Sequence, residues 1–191
     1  MFRKITACSV ATLMAVGVMA GPEAKAAEYD IDPVHSAVLF KVLHFNAGYV
    51  WGRFNAFEGA FSTAEDGAME MTIQTGSIDT NHNGRDAHLR SDDFFDAENY
   101  PEMSFTATGI TPTEDGFSVE GEFTLLGETR PITLEVTKVG EGEDPQGNYR
   151  YGFEAEGTLD RTDFGMDFMV GPIGADIHLI IAVEGVRQEA E

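Results

Sequence analysis

The feature that most constrains this chain is a period-two alternation of apolar and polar residues, recurring between residues 34 and 186. Successive side chains of a strand point to opposite faces, so such alternation marks strands with one buried and one wetted face. Val38, Phe40 and Val42 share one parity, with Lys41 on the other. Met69, Met71 and Ile73 alternate with Glu70, Thr72 and Gln74, and Met103 and Phe105 with Ser104 and Thr106. Phe117, Val119, Phe123 and Leu125 oppose Ser118, Glu120, Glu122 and Thr124. Ile132, Leu134 and Val136 oppose Thr133, Glu135 and Thr137, and Tyr151, Phe153 and Ala155 oppose Arg150, Glu154 and Glu156. Segment 52–61 carries Phe54, Phe57 and Phe61 among glycines, and this uneven spacing predicts a parity change at a bulge. The last run, 175–186, is apolar on both parities, as in a strand covered on both sides.

About eight strands result, separated by turn signals such as Asp66-Gly67, Asp115-Gly116 and Leu126-Gly127-Glu128. Eight antiparallel strands with one apolar face close into a barrel that leaves no exposed edge. A barrel of that size has room for one small ligand. A filled sandwich is the competing all-β arrangement. Residues 84–91 lack alternation and predict a short helix, trailed by Phe94, Phe95 and Tyr100, a cluster suited to a barrel mouth.

The N-terminus has the order of a secretory signal: Arg3 and Lys4, an apolar run from Ile5 to Ala20, then Ala24-Lys25-Ala26. Cleavage is expected after Ala26, with the sites after Ala20 and Ala27 also fitting, which leaves residues 27–191 as one exported domain. The apolar run is too short to span a membrane comfortably. Cys8, the sole cysteine, precedes that run rather than following it, so it is not a lipid-attachment site, and the mature chain has no disulfide. A domain of this length buries enough surface to fold without staples. Removing residues 1–26 takes three basic residues and one acidic residue from a net charge of −21, leaving −23. Such a surface repels phosphates, so no nucleic-acid partner is expected.

No catalytic constellation stands out. The five histidines, His35, His44, His82, His88 and His178, show no HxH or HExxH spacing, so no metal site is expected. Ser36 and His35 point apart on a strand, Asp86 and His88 do not face each other on a helix, and no GxSxG elbow occurs. Asp160-Arg161-Thr162-Asp163 reads as a local ion-paired turn. Thirteen of the fourteen phenylalanines lie in the mature domain. In a sandwich they are core; in a barrel they line an apolar cavity, which methionines make adaptable.

Ordered blocks of residues carry a resemblance. Tyr29-x-Ile31-Asp32-Pro33-x-His35-Ser36, Gly52-x-Phe54, Ser77-Ile78-Asp79-Thr80, Arg85-Asp86-x-His88-Leu89, Tyr100-Pro101-x-x-Ser104-Phe105, Gly121-x-Phe123-Thr124-Leu125-x-Gly127 and Arg161-x-Asp163-Phe164-Gly165 span nearly the whole mature chain. Together they resemble the YceI-like, polyisoprenoid-binding proteins. The resemblance implies an eight-stranded antiparallel extended lipocalin-like barrel, a periplasmic location, an association with stress response and no enzymatic activity. It also implies a carrier holding an isoprenoid lipid, either a polyprenyl phosphate or an isoprenoid quinone, with no cofactor besides that ligand. Phe40, Val42, Phe54, Met71, Phe105, Phe123, Leu134 and Phe153 are then expected to line the channel, with Arg85, His88 and Arg161 as headgroup candidates. Each arginine has an alternative as partner of Asp86 or Asp163. The acidity of the chain weighs towards a quinone or another uncharged lipid. No stable membrane anchor is expected, and a homodimer is allowed. A barrel enzyme acting on a small lipid and a filled-core interaction module are the alternatives.

Overall fold

The computed structural model describes residues 26–64 and 67–189, so the expected signal segment lies outside the described residues except for Ala26. The strands are β1 (Glu28–Ile31), β2 (Ala37–His44), β3 (Gly48–Phe54), β4 (Phe57–Ser62), β5 (Met69–Gln74), β6 (Ile78–Asp79), β7 (Glu102–Pro112), β8 (Phe117–Leu125), β9 (Glu128–Glu143), β10 (Tyr149–Asp160) and β11 (Ile173–Arg187). One short α-helix, α1 (Asn83–Leu89), lies between β6 and β7. The order β1-β4-β5-β7-β8-β9-β10-β11 closes on itself through a β1–β11 ladder, giving an eight-stranded antiparallel barrel. From β11 the sheet also continues into β2, β3 and β6.

The ladders explain why eleven strands form eight staves. β1 and β2 both run antiparallel along β11, β4 and β3 pair with them in turn, and β5 and β6 come next. Three staves are therefore broken midway, at residues 32–36, 55–56 and 75–77. The parity change expected within 52–61 is one of these breaks rather than a bulge: β3 ends at Phe54, β4 begins at Phe57, and both rings are buried. The first break begins at Asp32-Pro33, where the Asp32 carboxylate accepts the Val34 N–H at 2.9 Å and proline has no N–H to donate.

β6 is too short to meet β7 along a ladder, and α1 with its trailing residues fills that gap. Asp86 turns inward from α1 and accepts from the Thr80 N–H and hydroxyl, fixing the helix against the chain end of β6. The apolar run of β11 is not covered on both sides as expected. Its inward residues, such as Leu179 and Val183, face the barrel, whereas Ile180 and Ala182 point outward beside Leu39 and Ala37 and are only half-buried.

Large rings fit the interior because glycines face them. A Cβ on Gly52 would clash with the Phe40 ring on the neighbouring strand, and one on Gly121 with the Phe105 ring. Near the other end, Arg150 gathers three carboxylates: Asp32 at 2.8 Å, Asp144 at 2.8 Å and Glu184 at 2.5 Å. These residues come from the first break, the β9–β10 turn, β10 and β11, so one guanidinium ties the closing corner together. Hydrogen bonds from Arg150 and His35 hold the Asp32 carboxyl well below the usual carboxylate range, and those from Asn148 and Arg150 do the same for Asp144.

Two outcomes follow for stability. Gly52→Ala overpacks the Phe40 ring and is expected to destabilise the protein by about 1–3 kcal/mol, less in a Phe40→Leu background. Strict additivity in that double-mutant cycle, read by denaturant unfolding, rules out the ring–glycine contact as the cause. The lowered carboxylates stabilise the fold above the unfolded-state pKa of about 4, and that contribution is lost as pH falls through their folded values. In Arg150→Met three carboxylates face one another, so its thermal midpoint is expected to fall at neutral pH and to approach the wild-type value as acid protonates them. A constant offset between the two proteins across the acid range contradicts this.

Candidate functional site

The barrel interior is divided into compartments arranged in file. A cavity of about 310 Å³ occupies the end where β2, β3 and α1 complete the wall. A second, of about 290 Å³, lies towards the far end, among Phe61, Phe117, Val136, Lys138 and Tyr151. Between them is a space of about 30 Å³. Phe123 and Leu179 border both the first cavity and the central space, and Met69 and Phe153 border both the central space and the far cavity. The interior is thus an apolar passage with two constrictions, each made of one ring and one flexible aliphatic or thioether side chain. The rotamers of those side chains set how wide the connections are, and methionine is well suited to such adjustment.

The eight residues singled out from parity all reach this passage. Phe40, Val42, Phe54 and Phe123 line the first cavity. Met71, Phe105, Phe123, Leu134 and Phe153 surround the central space. Alternation on β2, β3, β5, β7, β8, β9 and β10 places them there, because every second residue points inward. The loop between β10 and β11 supplies a stretch of wall that alternation could not reveal, Met166, Phe168 and Met169, and Ile173 at the start of β11 adjoins it. Its one sequence signal is the apolar density of Phe164-Gly165-Met166-Asp167-Phe168-Met169.

The three headgroup candidates line the same first cavity. Arg161 is 1% exposed, at the start of a short 3₁₀ turn, Arg161–Phe164. Its guanidinium donates to four backbone carbonyls: Gly174 at 2.9 Å, Met166 at 2.7 Å, Phe168 at 3.0 Å and Ile173 at 3.2 Å. The expected pairing with Asp163 is absent. Asp160 caps the turn by accepting from the Thr162 N–H and hydroxyl, so the segment is not the ion-paired turn its composition suggests. Carbonyl oxygens replace a carboxylate because burial leaves only the backbone of the folded-back loop within reach. Burial also pushes the Arg161 pKa down from its ordinary value, yet arginine holds its proton strongly enough to stay charged. Four of its five N–H groups are used, and one on Nη1 has no partner among the described residues.

Arg85 and His88 sit on α1 at the more exposed side of the cavity. Arg85 does not pair with Asp86; it donates from Nε to the Thr80 hydroxyl and from Nη2 to the Thr80 carbonyl, both at 2.6 Å. His88 bonds Asp93 at 2.8 Å through Nε2 and sets its ring edge-on to Phe94 and Phe168. The cavity therefore carries cationic and imidazole groups in an apolar wall, and among the described residues no carboxylate lines any of the three compartments.

One further cluster escaped the sequence. Ligand atoms of Asp32, His35 and Glu184 lie within 4.8 Å of one another. Glu184 is remote in sequence, so spacing could not show this. The Arg150 Nη1 already bonds both carboxylates, occupying the place a cation would take.

Among known proteins, the YceI-like domain family matches residues 29–185. A UPF0312 protein of Pectobacterium atrosepticum is 41% identical over 185 residues, covering 93% of this chain and 96% of its own. The crystal structure of a Campylobacter jejuni YceI protein superposes with a TM-score of 0.69 at 27% identity, covering 76% of this chain and 90% of that one. A polyisoprenoid binding domain from Saccharophagus degradans, implicated in plant cell wall breakdown, shares the fold with a TM-score of 0.65 at 17% identity over 84% of this chain and 98% of that one. With a family match over most of its length and a curated relative at this identity, the chain belongs to the YceI-like family.

Proposed function

We propose that this protein is a periplasmic carrier that holds an isoprenoid lipid along its barrel interior, without a cofactor and without catalysing a reaction on it. The observation that carries this reading is the pairing of a compartmented apolar passage with a buried guanidinium that bonds backbone carbonyls rather than a carboxylate. Apolar walls favour a hydrocarbon tail, each buried methylene contributing roughly 0.8 kcal/mol before the costs of ordering. The free N–H of Arg161 suits an oxygen acceptor on the headgroup, either the phosphate of a polyprenyl phosphate or the carbonyl of an isoprenoid quinone. A net charge of −21 repels free anions approaching from solution, which favours the quinone or another uncharged head. The polyisoprenoid binding domain of the same fold supports an isoprenoid over other lipids. That no carboxylate among the described residues lines the cavity walls supports binding over general acid–base chemistry.

Organic extraction of the purified protein followed by mass spectrometry tests this directly. An isoprenoid lipid in stoichiometric amount is expected; a lipid-free protein that also rejects added isoprenoids contradicts the reading. Phe123→Asp places a carboxylate at the first constriction and is expected to abolish lipid retention, with destabilisation on top. Thr124→Asp, one residue on and facing outward, is expected to retain lipid. Normal lipid content in the Phe123→Asp protein excludes the passage as the binding site.

A further inference from the structure

Five of the eight exposed large hydrophobic residues among the described residues, Phe45, Tyr49, Trp51, Met169 and Val170, stand on two segments at the open side of the first cavity. One is the β2–β3 hairpin; the other is the loop before β11. The Phe45 N–H donates to the Pro172 carbonyl at 2.7 Å, so the two tips form one unit. Phe45 and Met169 have φ of 51° and 50°, a region that bulky residues avoid and glycine or asparagine enters easily. Apolar side chains thus occupy these tips against backbone preference. Phe45 is 57% exposed and yet also lines the cavity, so surface and interior are continuous there.

Charge identifies the partner. Residues 42–52 contain no Asp, Glu, Lys or Arg, and residues 164–175 contain only Asp167, in a chain of which 24% is charged. An anionic surface is repelled by the protein as a whole, and a cationic protein finds almost no carboxylate at the tips. A zwitterionic bilayer meets neither obstacle. On the outer face of β3, Tyr49 and Trp51 lie 5.2 and 5.5 Å from the Lys41 ammonium, a grouping typical of the membrane–water interface. At roughly 3.4 Å per residue they stand about 3 and 10 Å from Gly48, so a tip inserted to the acyl boundary sets both rings at headgroup level.

We propose that these two tips dock the barrel reversibly on a zwitterionic bilayer, so that a lipid tail passes between membrane and cavity without crossing water. This rests on the carrier reading, and the test separates the two. Trp51 is the only tryptophan, so its emission reports docking without a label. With phosphatidylcholine vesicles free of isoprenoid, the protein is expected to float with the vesicles, its emission shifting blue and being quenched by brominated acyl chains. Tyr49→Asp combined with Val170→Asp, neither residue lining the cavity, is expected to weaken vesicle partition by about ten-fold or more. Circular dichroism and farnesol binding measured without vesicles should be unchanged. Wild-type protein that binds farnesol but ignores vesicles overturns the docking proposal, as does a double variant that floats like wild type. A blue shift that follows protein concentration without vesicles assigns the patch to a second copy and also overturns it. Vesicle binding without farnesol binding supports docking and rejects the carrier reading.

Discussion

The structure depends on the pairing of β11. This strand runs beside β10 for most of its length, meets β2 near its start and meets β1 near its end. Its ladder with β1 converts an open sheet into a ring, and a ring of eight strands has a set diameter. Each strand of the ring is paired on both sides over part of its length, and every second side chain must point to the axis. The Arg150 cluster secures that closure from outside, joining the break after β1 to β10 and β11.

A ring of that size encloses more space than its inward side chains fill. Phenylalanines take up much of it, accommodated by facing glycines, and leave two cavities with a narrow connection. The same rings that pack the wall therefore form the constrictions. Arg161 adds the one buried charge among the described residues' fully buried side chains, and its four carbonyl contacts hold the β10–β11 loop as part of the wall. A single residue thus shapes the cavity and polarises it.

Alternation made the barrel legible, because a period of two states directly which residues face in. Phe40, Met71, Phe105, Phe123 and Phe153 were all identifiable that way, as was the helix near Arg85 from its lack of alternation. What stayed hidden lacks a period or spans the chain. The wall from Met166 to Met169 is a loop, so it carries no repeat. Asp163 and Asp86 looked like arginine partners because they are adjacent in sequence, but the folded-back carbonyls and Thr80 are nearer in space. Arg150 bonds a carboxylate 118 positions away, beyond the reach of any local pattern. The break at Asn55-Ala56 looked like a bulge because both keep phenylalanines on the inner face after a shift of parity.

The central claim is that the compartments act as one channel for a lipid tail. Calorimetric titration of delipidated protein with isoprenoid alcohols of increasing length measures this most directly. Affinity is expected to rise with each added isoprene unit as the tail passes Phe123 and then Phe153, and to level off once the barrel is full. An affinity indifferent to chain length, or no binding at any length, would contradict a continuous channel.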